Sequence, residues 1–288
     1  MTPSMPGLRM DRFQDIEAVC VDTPFSTAAI SLHGAQLLSF APQGFDDVMW
    51  LSPDTRHPPQ AIRGGVPVCW PYFARQGQPD DVPQHGYART SLWRLADAQH
   101  DEDGTVMLEF VLPNETDAAL DLSMTVRIGR ALEQSLTTHN RSTEPQRFTQ
   151  ALHTYFAVAD AAQARVIGLD GLTYASKYDG HDYVQEGGWN LHDPRDPGRS
   201  DRIYADTGNH FELIDPVARR RVALRTSGSR TLVVWNPGAE GARAFTDMPP
   251  QGWRRFVCLE AANAGADAIE LAPGARHTLG QIIAVSDI

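Results

Sequence analysis

The sequence predicts an all-β fold, a large antiparallel assembly with few short helices. Apolar and polar residues alternate with period 2 over many short segments, the pattern of strands that bury one face. Clusters of Gly, Pro, Asn and Asp separate these segments at intervals of about 8–12 residues, as in sandwiches and barrels. Helical periodicity is scarce, and the long spacing of βαβ units is absent, which argues against a doubly wound or barrel-type parallel sheet.

The strands are expected in the following order. Ala29–Phe40 and Val48–Leu51 come first, then Thr105–Leu112, with turn residues between them. Leu120–Ile128 is the clearest: Leu120, Leu122, Met124, Val126 and Ile128 alternate with Asp121, Ser123, Thr125 and Arg127. One face of that strand meets a core and the other meets water or a ligand. Ala131–Thr138, Arg147–Val158, Arg165–Leu169, His210–Ile214, Arg221–Thr226, Thr231–Trp235, Arg254–Glu260 and Gln281–Ser286 complete the set. Gly187–Ser200, rich in Gly, Pro, Asp and Asn, reads as a loop inside a domain. A chain of 288 residues could hold two average domains, but all-β domains often run to about 200–250 residues. No linker or repeat is visible, so residues 1–288 are expected to form a single domain, with 1–15 as a loosely packed N-terminal extension.

Composition narrows the function. Hydrophobic residues make up 42% of the chain, enough for a sizeable core. With 23 Gly and 20 Pro, the chain lies below the low-complexity regime of about 25–30%. The net charge of −11 and pI near 5.3 argue against sequence-independent nucleic-acid binding, which needs a basic surface. The chain has one lysine, Lys177; its other basic residues are Arg. Either a coding bias accounts for this or Lys177 has a specific role. The three cysteines Cys20, Cys69 and Cys258 are far apart and odd in number, which fits free thiols in a reducing compartment. Residues 1–13 lack the apolar core of a secretory signal, and no run of about 18 apolar residues spans a membrane. A cytoplasmic monomer without nucleic-acid or membrane partners is expected.

Phosphate-loop, dinucleotide, zinc-protease, paired-cysteine and nucleophile-elbow motifs are all absent. Five short clusters remain. In Arg63–Phe73, two glycines follow an arginine and precede a run of aromatics. Such a segment either lets the backbone approach a ligand walled by rings or forms a tight turn before a buried aromatic stretch. Pro83–Arg89 gathers Gln84, His85 and Arg89; Arg89 with Arg63 could fork an anion, or the loop could be an unremarkable surface. His153, in Ala151–Phe156, shares a strand face with Ala151 and Tyr155 and is either a structural or a reactive imidazole. In Phe256–Asn263 an apolar run leads directly into Glu260, a carboxylate that needs a partner, a solvated cleft or an exposed strand end. Asp201, in Ser200–Tyr204, could accept sugar hydroxyls or pair with Arg202.

Taken together, RGGVPVCWPYF at 63–73, PQHGYAR at 83–89, ALHTYF at 151–156, the segment at 200–204 and FVCLEAAN at 256–263 resemble the glucose-6-phosphate 1-epimerases (hexose-6-phosphate mutarotases) of the aldose 1-epimerase superfamily. The resemblance runs from about Ile30 to the C-terminus. It implies a galactose mutarotase-like β-supersandwich and interconversion of the α and β anomers of a hexose 6-phosphate, with no cofactor and no metal. It further implies His153 as general acid and Glu260 as general base, starting as imidazolium and carboxylate. Substrate contacts are implied from Arg63, Gln84, Arg89 and Asp201, the two arginines near the phosphate, and from His85 near the ring oxygen. Ala74, where the family commonly has Gly, and Gly238, where it commonly has Trp, depart from the pattern and bear on substrate breadth. Three other activities fit parts of the pattern. An epimerase of free sugars would need no anion site, and a carbohydrate-binding module would bind without turnover. A glycoside hydrolase would use Glu260 and Asp201 as its carboxylate pair.

Overall fold

Alternation of apolar residues makes strands dominate the protein, whose computed structural model describes residues 7–113 and 118–288. The first four strands, β1 (Leu8–Phe13), β2 (Ile16–Asp22), β3 (Ser26–Ser31) and β4 (Leu37–Pro42), form a four-stranded meander. Then come β5 (Val68–Cys69), β6 (Arg94–His100), β7 (Val106–Val111), β8 (Leu120–Ile128), β9 (Leu132–Asn140), β10 (Gln146–Phe148) and β11 (Gln150–Ala157). The next are β12 (Arg165–Ile167), β13 (Thr173–Ser176), β14 (Asp182–Val184), β15 (Ser200–Tyr204), β16 (His210–Asp215), β17 (Arg220–Ser227) and β18 (Thr231–Asn236). Helix α1 (Gly238–Ala242) precedes β19 (Phe256–Asn263), β20 (Ile269–Leu271) and β21 (Arg276–Asp287).

Two large sheets organise the rest. An eight-stranded sheet has the order β12-β16-β17-β21-β9-β8-β7-β6, and a seven-stranded sheet the order β14-β13-β15-β18-β19-β11-β5. The paired strands are antiparallel. Strand β10 pairs separately with β20. Alternate side chains of the larger sheet, such as Leu108, Phe110, Met124, Val126, Leu136, Leu224 and Ile283, meet Leu152, Phe156, Leu232, Val234, Val257 and Leu259 of the smaller one in one buried cluster. This is the sandwich arrangement, in which period-2 strands share a core through their inner faces. One chain of polar groups inside it is paired: Thr154 Oγ1 donates to Gln281 Oε1 at 2.9 Å, and Gln281 Nε2 donates to Gln134 Oε1 at 2.8 Å. The outer face of the seven-stranded sheet is left for the site.

Several sequence expectations need correction. Ala29–Phe40 is two strands, because the chain reverses at Gly34 and Ala35, which both take positive φ. Val48–Leu51 forms only isolated bridges, Met49 to Phe156 and Leu51 to Gly64. Arg147–Val158 breaks at Thr149, whose Oγ1 accepts the Phe73 N–H at 2.7 Å, so β10 and β11 take different partners. Arg254 and Arg255 belong to a 3-10 turn, and the strand after them runs on to Asn263. Within the expected N-terminal extension, residues 8–13 form β1, mostly exposed but paired along its length with β2; residues 1–6 lie outside the described residues. No helix among the described residues is long and apolar enough to cross a membrane.

Candidate active site

Register places the side chains singled out from sequence. Strands β11 and β19 are neighbours, with His153 directly opposite Glu260 and Tyr155 opposite Cys258. Because faces alternate along a strand, these side chains point away from the core that receives Leu152 and Phe156. On the far side of β19, Val233 of β18 lies opposite Glu260, and Asp201 of β15 lies opposite Trp235 of β18. The segment around residues 63–69 runs along the other edge of β11. Pro67 O accepts the His153 N–H at 3.0 Å, and Gly65 O accepts the Tyr155 N–H at 2.9 Å.

Glycine makes that approach possible. Gly65 has φ +62, and a Cβ there would collide with Leu37 O; Gly86, beside His85, has φ +72, and a Cβ there would collide with Trp70 O. Both positions combine a left-handed backbone with direct backbone contact, which only glycine accommodates.

The result is a cavity of about 570 Å³ lined by Arg63, Gln84, His85, Arg89, His153, Asp201 and Glu260, together with Lys177. The residues singled out from sequence thus line one cavity. Arg56, Tyr155, Trp235, Phe245 and Asp247 also line it and were not among them. Tyr155 was legible as a neighbour on the His153 face, whereas Asp247 had no local signal.

Glu260 is buried and His153 nearly so, with Nε2 3.4 Å from Oε1. The imidazole stacks on Tyr155 at 4.9 Å and 13° and meets Trp235 edge-on at 5.9 Å. Glu260 Oε2 and His153 Nδ1 have no hydrogen-bond partner among the described residues. Burial pushes the Glu260 carboxyl well above its usual range, and Asp201 adds to the push. Burial lowers the His153 imidazole to about 3, helped by the Arg89 and Arg63 guanidinium groups. Both effects oppose the imidazolium–carboxylate starting state expected from sequence: removing two charges from water is costly, so the free protein favours a neutral pair that holds one proton.

His85 is fixed by two backbone contacts. Its Nδ1 accepts the Ala74 N–H at 3.1 Å, and its own N–H donates to Ala74 O at 2.8 Å. Burial drives this imidazole far toward its neutral form, so with Nδ1 accepting, the proton sits on Nε2. Ala74 has φ +53, a left-handed conformation better suited to glycine. Gly238 has φ +65, and a Cβ there would strike Gly198 O, so this backbone leaves no room for tryptophan.

The charged groups divide into paired and unpaired. Arg63 donates through Nε and Nη2 to Asp247 Oδ2 at 3.3 and 3.2 Å and through Nη1 to Tyr155 Oη at 3.0 Å. Arg89 donates from Nη2 to Gln84 O at 2.8 Å, and its buried Nε has no partner among the described residues. Burial raises Asp201 to about 6, opposed by the nearby Lys177 ammonium. Arg202, the alternative partner for Asp201, instead pairs with Asp193 and Asp196. His153, Cys258 and Glu260 place one donor atom each within 4.8 Å of one another, so a metal could reach this position only by engaging His153 and Glu260.

Comparisons with known proteins bear on the family and the fold. Residues 17–284 match the family model described as aldose 1-epimerase. A protein of Escherichia coli K12 that bears the provisional name glucose-6-phosphate 1-epimerase is 34% identical over 265 residues, covering 90% of this chain and 87% of its own. The crystal structure of a provisionally named mutarotase from Salmonella typhimurium superposes with a TM-score of 0.90 at 30% identity, covering 100% of this chain and 96% of that one. A galactose mutarotase-like protein from Clostridium acetobutylicum shares the fold, with a TM-score of 0.73 at 12% identity over 98% of each chain.

Proposed function

The chain belongs to the aldose 1-epimerase family, and from that premise we propose that it interconverts the α and β anomers of a hexose 6-phosphate, glucose 6-phosphate foremost. As a member of that family it is a sugar isomerase, so a module that only binds carbohydrate is set aside. The phosphorylated substrate rests on one observation: an unneutralised guanidinium, Arg89, lines the same cavity as the His153–Glu260 pair.

In this mechanism Glu260 takes the proton from the sugar O1 as the C1–O5 bond breaks. His153 gives its proton to the departing ring oxygen. Rotation about C1–C2 and reclosure on the other face then yield the second anomer, with both transfers reversed. The electrostatics suit this sequence. Imidazolium and carboxylate are the reactants, and neutral imidazole and carboxylic acid accompany the open aldehyde. Burial destabilises the charged pair relative to the neutral one, so once the bound substrate has formed the imidazolium–carboxylate state, the proton transfers of ring opening return the pair to its favoured neutral form. An anion on Arg89 would offset one of the charges that hold His153 neutral and so help form the reactive imidazolium. Asp201 and the Nε2–H of His85 supply an acceptor and a donor for the sugar.

Magnetisation-exchange NMR between the anomeric protons tests the proposal, with glucose 6-phosphate and glucose compared side by side. Fast exchange of the phosphorylated sugar alone supports it. Equal acceleration of both favours a free-sugar epimerase, and no acceleration of either removes the substrate assignment.

A further inference from the structure

We propose that Asp247 sets the anion selectivity of this cavity: it neutralises Arg63, so that a phosphate is held by Arg89. The inference rests on the hexose 6-phosphate reading above and assigns different tasks to two arginines that the sequence presents as a pair.

The hydrogen-bond inventory differs between them. A guanidinium has five N–H donors, and Arg63 spends three of them on Asp247 and Tyr155. Its plane also lies 4.6 Å from the Phe245 ring centre. Asp247 is 7% exposed, and its backbone O accepts the Ser52 hydroxyl at 2.8 Å. Neighbouring Met248 packs in an apolar cluster with Trp50, Tyr155 and Phe256. The carboxylate is therefore fixed against Arg63. Seen from the cavity, the pair is a short dipole, and its remaining N–H groups suit neutral hydroxyls. Arg89 forms no ion pair among the described residues; it contacts only a neutral carbonyl and keeps an unpartnered buried Nε. An anion entering the cavity meets its full charge.

Asp247 is thus a positioning residue, acting on the ligand through Arg63. The test is equilibrium binding of inorganic phosphate at low ionic strength, followed by calorimetry, which needs no turnover. Arg89→Ala should weaken binding strongly. Asp247→Asn, which keeps a hydrogen-bond acceptor for Arg63 but removes the charge, should tighten binding about tenfold or more, the scale of one unmasked charge at short range. The double variant should regain affinity lost in Arg89→Ala, an outcome no packing defect produces. Asp247→Glu, which keeps the charge, should bind phosphate as wild type does. Unchanged or weaker binding in Asp247→Asn, with Asp247→Glu normal, overturns the inference. The two proposals separate cleanly. Tightening without turnover of glucose 6-phosphate leaves the role of Asp247 intact and removes the substrate. Turnover without tightening does the reverse.

Discussion

Glu260 lies directly across the strand pair from His153, its Oε1 3.4 Å from the imidazole Nε2, with the carboxyl buried and the imidazole nearly so. Groups so placed exchange a proton as a unit. Glu260→Gln and His153→Asn should each slow anomer exchange by about 10²–10⁴-fold, and the double variant should be little worse than either single one. Exchange at the wild-type rate in a folded single variant would remove that residue from the mechanism.

The same carboxyl should cost stability. Its folded pKa is raised above the unfolded value, so the folded state binds the proton more tightly. The penalty grows as pH rises through the unfolded pKa, up to the folded one. Glu260→Gln should therefore melt higher than wild type, by about 1–3 kcal/mol at pH 8 and less at pH 5. A lower melting temperature at pH 8 would contradict it.

Asp201 supplies a pH limb of its own. With the carboxyl raised to about 6 by burial, acidification through that value removes an acceptor for the sugar. KM for a non-ionising sugar such as glucose should rise below pH 6, with kcat little changed. Lys177→Met removes the opposing ammonium and should move the limb to higher pH, and Asp201→Asn should abolish it. A limb that stays in place in Lys177→Met would dissociate the two residues.

The arginines should separate by substrate. Arg89→Ala should lower kcat/KM for glucose 6-phosphate by at least about tenfold while affecting glucose little. Arg63→Ala should lower both, because Arg63 also holds the Tyr155 ring on which His153 stacks. Equal losses for the two sugars in Arg89→Ala would remove it from the anion site.

Backbone threading sets the tolerance of the loops. Gly65→Ala forces a left-handed alanine against Leu37 O, and Gly86→Ala does the same against Trp70 O. Each should destabilise the fold by roughly 2–4 kcal/mol, as read by urea denaturation. Gly44→Ala, with nothing near its Cβ, should cost much less, since only its backbone conformation opposes the change.

The long strands were legible because their faces differ: Leu120–Ile128 matches β8 residue for residue. Strands of two to four residues, such as β5, β13, β14 and β20, are too short to show a period and exist through their neighbours. Glu260 could be noticed because it ends an apolar run, a placement that is costly unless used, and His153 because it shares a strand face with Ala151 and Tyr155. The glycines beside Arg63 and His85 were likewise visible. Asp247 was not, since its partner Arg63 is 184 residues away and nothing in its own segment announces the contact. Nor could the sequence show that burial favours neutral forms of His153 and Glu260 in the free protein, because burial is a property of the packed sheet.

One topological feature bears on how the chain reaches this state. In the seven-stranded sheet β19 sits between β18 and β11, and in the eight-stranded sheet β21 sits between β17 and β9. Both of these interior positions are thus filled by the strand of that sheet latest in the chain. During synthesis β11, β18, β9 and β17 wait with open edges, the kind that recruit other chains. His153 and Asp201 are made long before Glu260. Assembly of the acid–base pair and removal of the most adhesive edges of its sheet are therefore one late event, so slow elongation upstream of residue 256 would prolong exposure to aggregation without yielding any partly active species.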